Sequence, residues 1–424
     1  MAANGLRVLA MATGRGDDAA ERVKSDEPGG FTFVGLQGLL DPPRDSAIRA
    51  VDDCHEAGIR VIMVTGDHAR TAAAIARQVH LDRPVGVGFE TDEERESSRR
   101  EAEENGDLPE ARLGKDLADV SDDELDDALR NVNVFARFKP EQKLRLVRRL
   151  RENDQIVAVT GDGVNDAPAL KEADLGAAMG RTGTDVAKEA SDMVITDDNF
   201  ASVYAAVEEG RTAFRNIRMA TFFLLSTGAA DVLIILSALA VGWKLPLLPA
   251  QILWCNVVTN GIADVALGFE PGERSLFRRP PRPPGEGILH RPLLERLVII
   301  GIWLTVGVLG VFSWLYFWRD AGIDQARVAA LTTLVLFQKV HVFNCRSEED
   351  SIFSKSLLAN KVLFIGVLAS LAVHVAALYI PWTQDLLSLS PLDWKTWLVM
   401  IGIAFTAIIP NELHKWWTRR RRSR

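Results

Sequence analysis

Apolar positions fall into two regimes along the chain. Up to about residue 215 they form short runs between polar turns, among them Ile59–Val64 and Ile156–Val159. Runs of that length bounded by Gly and Asp predict buried parallel strands. Each leads into a helix-like stretch. The Ala-rich segment Ala69–Val79 follows the first, Ala being the strongest helix former. Between the two strands, Lys139-Pro140-Glu141-Gln142-Lys143 opens an amphipathic helix with Leu144, Val147 and Leu150 on one face. Strands alternating with helices predict an α/β fold with a parallel sheet. Beyond residue 215 the apolar runs lengthen. Six of them, near 219–242, 249–268, 297–318, 328–344, 362–380 and 394–410, approach or reach the length that crosses a core of about 30 Å. The fourth carries Lys339 and His341. The expected fold is therefore α/β followed by an all-α membrane domain.

Charge follows the same division. Residues 1–215 carry a net −15 and residues 216–424 a net +7. The first part is an acidic soluble domain long enough to bury its own core. Arg215 and Arg218, then Arg278, Arg279 and Arg282, then Arg419 to Arg422 fall on one side if all six spans cross. Positive loops mark that side as cytoplasmic, which places the soluble domain and the carboxyl terminus there in an integral membrane protein of the cell membrane. Met1 to Ala20 lacks the apolar core of a cleavable signal. Cys54, Cys255 and Cys345 lack metal-ligand spacing and imply neither disulfides nor zinc. Residues 82–131 read as an acidic, solvated insertion, partly helical or disordered. Pro280 to Pro284 reads as a stiff linker. The lipid bilayer is an expected partner; nucleic acid is not.

The chemistry concentrates in Val159–Lys171, Val-Thr-Gly-Asp-Gly-Val-Asn-Asp-Ala-Pro-Ala-Leu-Lys. Gly161 and Gly163 allow a sharp turn and close approach to a ligand. The turn presents Asp162, Asn165 and Asp166 as hard oxygen groups at the carboxyl end of a strand, suited to Mg²⁺ beside a phosphate. A plain turn with an aspartate capping the next helix explains one Gly-Asp pair but not the whole string. The upstream strand ends in Thr65-Gly66-Asp67, where helix capping is the plain alternative. The two units suggest neighbouring parallel strands facing one site. Lys139 or Lys143 is placed to reach phosphate, though most lysines on such a helix are solvated.

In order along almost its whole length, the chain resembles the carboxyl-terminal half of a type II P-type cation-transporting ATPase, the group of the calcium and sodium/potassium pumps. The matching strings are Gly5 to Ala10, Leu40-Asp41-Pro42-Pro43-Arg44, Thr65-Gly66-Asp67, Ala136-Arg137 with Lys143, Val159–Lys171, Asp197-Asp198-Asn199-Phe200 and Glu208-Glu209-Gly210-Arg211. The resemblance implies an incomplete haloacid dehalogenase (HAD)-like, Rossmann-type phosphorylation domain over 29–215. Residues 1–28 would be a remnant of the nucleotide-binding domain's edge, and 216–424 would hold about six transmembrane helices. It implies that Asp162 is the Mg²⁺ ligand and that Asn165 and Asp166 support the phosphate site. Lys143 would pair with the phosphoryl group, which Thr65, Gly66 and Asp67 would bind or orient.

Polar residues inside the predicted spans form a second constellation. Asp231 sits mid-span, where an ionisable group defaults to a functional reading. Asn256, Asn260 and Asp264 recur at i, i+4 and i+8, on one helical face with Thr259 beside it. Together these groups make an oxygen cage for a cation; interhelical hydrogen bonding is the alternative. Leu253 to Gly261 resembles the second-span ion motif of the calcium pumps, with departures. Those pumps carry an aspartate at the position of Asn260, a glutamate at that of Asp231, an asparagine at that of Gly228 and an acid at that of Gln338. Lys339 adds a positive charge that stands in for a cation or snorkels. A monovalent ion, a proton or a single divalent ion all stay open.

The family's nucleophile lies in the string Asp-Lys-Thr-Gly-Thr, which does not occur in this sequence. Asp41 follows an apolar run, but by resemblance it belongs to a structural Asp-Pro-Pro-Arg turn. The expectation is the supporting half of a cation pump, with Mg²⁺ as cofactor and a missing amino-terminal half as partner. ATP would be a substrate only once that half is supplied. Two alternatives stand beside it: a non-enzymatic membrane partner or inactive fragment that keeps the fold, and a membrane-anchored phosphatase of the same superfamily.

Overall fold

The computed structural model describes residues 6–14, 30–39, 42–82 and 110–422. The chain forms two compact units, Met1–Glu208 with Arg274–Pro284, and Glu209–Glu273 with Gly285–Arg424.

In the first unit, strands β1 (Arg7–Thr13) and β2 (Thr32–Leu39) pair as an antiparallel ribbon. Its apolar side chains, such as Phe33 and Val34, stay largely exposed. Helix α1 (Asp45–Glu56) leads to β3 (Met63–Thr65) and α2 (Ala69–Gln78). Then come β4 (Ala111–Leu113), α3 (Asp122–Asn131), β5 (Val134–Ala136) and α4 (Pro140–Glu152). After β6 (Ala158–Gly161) follow α5 (Ala167–Glu172), β7 (Leu175–Met179), α6 (Asp185–Ala190) and β8 (Met193–Ile195).

The strands make two parallel three-stranded sheets, ordered β3-β5-β4 and β6-β7-β8. Each central strand is buried on both faces. Phe135 of β5 packs with Leu125, Leu129 and Leu146, while Val134 and Ala136 turn the other way onto Ala72 and Ala76. That alternation is the two-residue period of a strand. Similarly, Ala177 and Ala178 of β7 enter two different clusters, the second with Leu170 and Ala187.

Two sequence expectations change here. The strands ending in the two Thr-Gly-Asp units are not hydrogen-bonded neighbours. β3 and β6 are edges of separate sheets, and among the described residues no strand pairs with their free sides. Both begin later than the apolar runs suggested, and Ile156, expected in a buried strand, is 73% exposed. Ile156 precedes β6 and so has no ladder partner to bury it.

Of the acidic stretch 82–131, residues 83–109 lie outside the described residues. Residues 110–131 differ from a solvated insertion: β4 joins the sheet, and α3 buries Leu125 and Leu129. Ser121 starts α3 through a capping box, its hydroxyl accepting from Glu124 N while Glu124 accepts from Ser121 N. Only the first part of the 1–28 remnant is described, as β1, and Asp41 lies outside the described residues.

The second unit is helical. After α7 (Phe200–Ala240), which starts in the first unit, come α8 (Pro249–Trp254), a π-helical segment (Cys255–Asn260) and α9 (Gly261–Leu267). They are followed by α10 (Arg291–Ser313), α11 (Ile323–Asn344), α12 (Lys361–Ala377), α13 (Pro381–Leu387), α14 (Trp394–Phe405) and α15 (Ile408–Arg422). Among the described residues, four helical stretches, Phe200–Ala240, Arg291–Trp318, Ile323–Asn344 and Trp394–Arg421, are long and apolar enough to cross a membrane. A fifth results if α12 and α13, bent by 89°, act as one span. Six spans were expected; among the described residues four helical stretches, or five with the bent pair, meet that length and composition. The segment predicted at 249–268 is helical but divided, because the π turn interrupts its regular register.

Helix α11 is the centre of the unit. Of its apolar window 83% is buried, against 44%, 39% and 33% for the other three long stretches. Leu331, Leu334, Val335 and Phe337 pack there with Ile300, Leu304 and Val308 of α10. Gly307 makes the close crossing possible, since a Cβ there would stand 2.5 Å from the Phe337 ring. The outer helices keep apolar side chains such as Val298, Val306, Ile365 and Leu398 exposed, as a lipid-facing surface requires.

Candidate functional site

The two Thr-Gly-Asp turns are tied together through α4. At the end of β3, Phe138 N donates to Thr65 O at 3.1 Å and Arg137 N to Asp67 O at 3.2 Å. This fastens the first turn to the loop between β5 and α4. Asp67 N also donates to Thr65 Oγ1 at 3.1 Å. Asp67 does not cap the following helix: His68 does, its Nδ1 accepting from Arg70 N. Gly66 and Asp67 are exposed, and a Cβ on Gly66 would meet nothing within 4 Å. The turn therefore opens on free space.

Pro140 occupies the first turn of α4, where its missing N–H costs nothing. One turn on, Lys143 Nζ reaches Asp166 Oδ1 at 2.7 Å, in the loop that follows β6. Asp166 Oδ2 accepts from Gly163 N at 3.2 Å, folding the loop back on itself. Glycine is required at 161, where a Cβ would lie 2.5 Å from Asp166 Cβ. Asp162 and Asn165 point from this loop as exposed side chains. Thus Lys143, Asp166 and both turns converge, whereas Lys139 only opens the helix.

One organising residue was named in the sequence motif but not as a site residue. Asp198 accepts backbone N–H groups from Gly180, Arg181 and Thr182 at 2.7, 2.9 and 2.8 Å. Those amides hold its carboxyl down at a pKa of about 2. The same loop supplies Thr184, whose N–H donates to Asp162 O at 2.8 Å. Its signal was a pair of aspartates just after an apolar run, which composition alone does not separate from an ordinary turn.

In the second unit the predicted polar residues gather around α11. Thr259 Oγ1 donates to Cys255 O at 2.6 Å and lies 3.4 Å from Gln338 Oε1. Asn260 is 1% exposed with neither amide atom hydrogen-bonded. Gln338 Nε2, one oxygen of Asp264 and both oxygens of Asp231 are likewise buried without a hydrogen-bond partner, with Asn256 beside Asp231. The expected single face of Asn256, Asn260 and Asp264 is broken by the π segment, which leaves Asn256 exposed and turns Asn260 fully inward. Lys339, 5% exposed, donates its ammonium to the Thr259 carbonyl.

Parallel α/β layers with acidic turns at the strand ends, joined to membrane-length helices, define a HAD-like hydrolase domain attached to a membrane region. Residues 9–174 match the haloacid dehalogenase-like hydrolase family, and residues 244–417 match the family described as cation transporting ATPase, C-terminus. A "Probable cation-transporting ATPase F" of Mycobacterium tuberculosis is 41% identical over 412 residues, covering 96% of this chain and 43% of that protein. A "Calcium-transporting ATPase" of Bacillus subtilis is 40% identical over 374 residues, covering 88% of this chain and 39% of its own length. "Calcium-transporting ATPase 1" of Saccharomyces cerevisiae is 36% identical over 431 residues, covering 99% and 42%. The chain belongs to the P-type cation-transporting ATPases and corresponds to their carboxyl-terminal half. It spans about two-fifths of the length of these relatives.

Proposed function

We propose that the chain supplies the phosphate site and part of the ion pathway of an ATP-driven cation pump, and that it works with an amino-terminal half. The observation that carries this reading is the Lys143–Asp166 pair, which draws the two Thr-Gly-Asp turns into one neighbourhood. Among the described residues, β3 and β6, which lead into those turns, each have a sheet edge that no strand pairs. A strand ending in a nucleophilic aspartate and pairing with either edge would deliver that carboxylate to the turns.

Thr65 and the exposed Gly66 would then orient the phosphoryl group, with Asp67 beside them. Lys143 would offset its charge, and Asn165 and Asp166 would hold the loop against it. Magnesium fits this arrangement as a shared ligand set. Among the described residues no three acidic, His or Cys groups form a metal cluster. Magnesium, however, takes one or two carboxylates and fills its other positions with water and phosphate oxygens. Asp162, exposed at the loop mouth, is the carboxylate this chain would contribute. Bound there, the ion would neutralise phosphate charge.

In the membrane, Asp231, Asn256, Thr259, Asn260 and Gln338 would line the cation's path. The orphaned polar atoms support this, since such atoms are costly in a bundle core unless a ligand completes them. The basic loops at Arg278, Arg279 and Arg282 and at Arg419 to Arg422 support an orientation with the phosphate site and the carboxyl terminus on the cytoplasmic side.

The test is co-expression with the amino-terminal half of a related pump in membrane vesicles. Phosphoenzyme formation from labelled ATP and cation-stimulated ATPase activity should appear only with both halves, and Asp162→Ala should abolish them. Labelling of this chain itself would point to the phosphatase alternative. Failure with every matching half would point to the non-enzymatic partner.

A further inference from the structure

We infer that the Lys339 ammonium is a tethered cation built into the membrane polar cluster, occupying one carbonyl ligand and neutralising one carboxylate. A single added cation then suffices to fill the cluster. This rests on the reading of that cluster as the transport site.

Lys339 stands five residues before the end of α11 at Asn344. Its stem is long enough to carry the charge toward the helix end, which is what a lysine near a membrane boundary ordinarily does. It does the opposite. The side chain is 5% exposed, and its Nζ donates to the backbone carbonyl of Thr259 in the π-helical segment. At a π turn the helix hydrogen-bond register slips from i→i+4 to i→i+5, which sets the segment's carbonyls at angles an ordinary α-helix does not offer. Such a carbonyl is a natural ligand for a dehydrated cation, and the ammonium has taken it.

Charge supports the same assignment. Asp264 lies within electrostatic reach of Lys339, and one of its oxygens is buried without a hydrogen-bond donor. Neither an ammonium nor a guanidinium acts on Asp231, whose buried carboxylate has only the Asn256 amide beside it. Counting Asp231, Asp264 and Lys339 as charged groups, the cluster keeps one negative charge. The unfilled oxygen ligands are the Asp231 carboxylate and the Asn260 amide oxygen, whereas the Gln338 oxygen already faces Cys255 and Thr259. They suit one hard cation of the alkali or alkaline-earth type. Without the ammonium, the Thr259 carbonyl and Asp264 would make a second position.

The experiment is equilibrium binding of radioactive sodium and radioactive calcium to the two halves co-purified in lipid nanodiscs. The wild-type protein should hold one cation. Lys339→Met should bind one further monovalent equivalent, or bind calcium at least about tenfold more tightly. Asp264→Asn should weaken both by a similar factor, because it leaves the ammonium uncompensated. Asp264→Asn combined with Lys339→Met should return binding toward wild type. Unchanged stoichiometry and affinity in Lys339→Met overturns the inference, as does a double variant no better than Asp264→Asn alone. If Lys339→Met fails to assemble, Asp264→Asn decides: a tethered cation requires weaker binding, and an unaltered affinity refutes it. Asp231→Asn separates the two readings. Full binding in that variant overturns the transport site itself, while loss of binding there with an inert Lys339→Met overturns only the tethered cation.

Discussion

Gly161→Ala is the sharpest perturbation of the phosphate site. A Cβ at 161 would stand 2.5 Å from Asp166 Cβ and 2.9 Å from its Cγ. Carbon atoms in good contact keep about 3.5–4.0 Å, so Asp166 must retreat by roughly 1 Å or β6 must bend. Neither moves freely. β6 is hydrogen-bonded to β7, with Gly161 opposite Ala178, and Asp166 is held by Lys143 Nζ at 2.7 Å and Gly163 N at 3.2 Å. Overpacking of this kind costs about 1–3 kcal/mol. Losing the ion pair, whose side chains are 23% and 15% exposed, adds up to about 1 kcal/mol. With a urea slope of about 2–3 kcal/mol/M, the unfolding midpoint of the soluble domain should fall by roughly 1 M. Gly163→Ala is the control, because its nearest atom, Asp166 Oδ2, would lie at an ordinary 3.5 Å. Urea titrations followed by far-ultraviolet circular dichroism compare the two variants. Equal midpoints for both would refute the packing argument, and phosphoenzyme formation should drop only in Gly161→Ala.

Three further outcomes are expected. Asp198 has a pKa lowered from 3.8 to about 2, so its contribution is fully present above about pH 4 and is lost as the pH falls through 2. A carboxylate titration by nuclear magnetic resonance should show the low midpoint, an ordinary value near 3.8 would contradict it, and Asp198→Ala should speed amide exchange at residues 180–182. Glu270→Ala should destabilise the helical unit by about 3–5 kcal/mol, because it strands the Arg346 guanidinium, both side chains being 3% exposed. Thermal unfolding in detergent would detect this, and Glu270→Ala with Arg346→Met should recover much of the loss. Gly307→Ala should cost about 1–3 kcal/mol by driving a methyl into the Phe337 ring; a melting temperature restored by adding Phe337→Leu would locate the strain at that contact.

Local pattern was enough to read the two-part organisation, the α/β character of the first part, the apolar helices of the second and the family. Each rests on short-range physics: strand-length apolar runs, the turn chemistry of Gly-Asp-Gly, and hydrocarbon stretches matched to a bilayer. Lys143 and the two Thr-Gly-Asp turns were nameable for the same reason. Their relation was not. That β3 and β6 lie at the edges of different sheets follows from which strands find partners, a long-range matter no window of sequence contains. The folding of 110–131 into the core was hidden by its surface charge, since Leu125 and Leu129 are buried only once they meet Phe135 of β5 and Leu146 of α4. In the membrane, a regular i, i+4, i+8 spacing foresaw one polar face, and the π turn rotated it apart. Whether Lys339 reached for water or for a carbonyl was likewise decided by tertiary packing. Helix α11 lies at the centre of its unit, and the acceptor there, the Thr259 carbonyl, belongs to another segment.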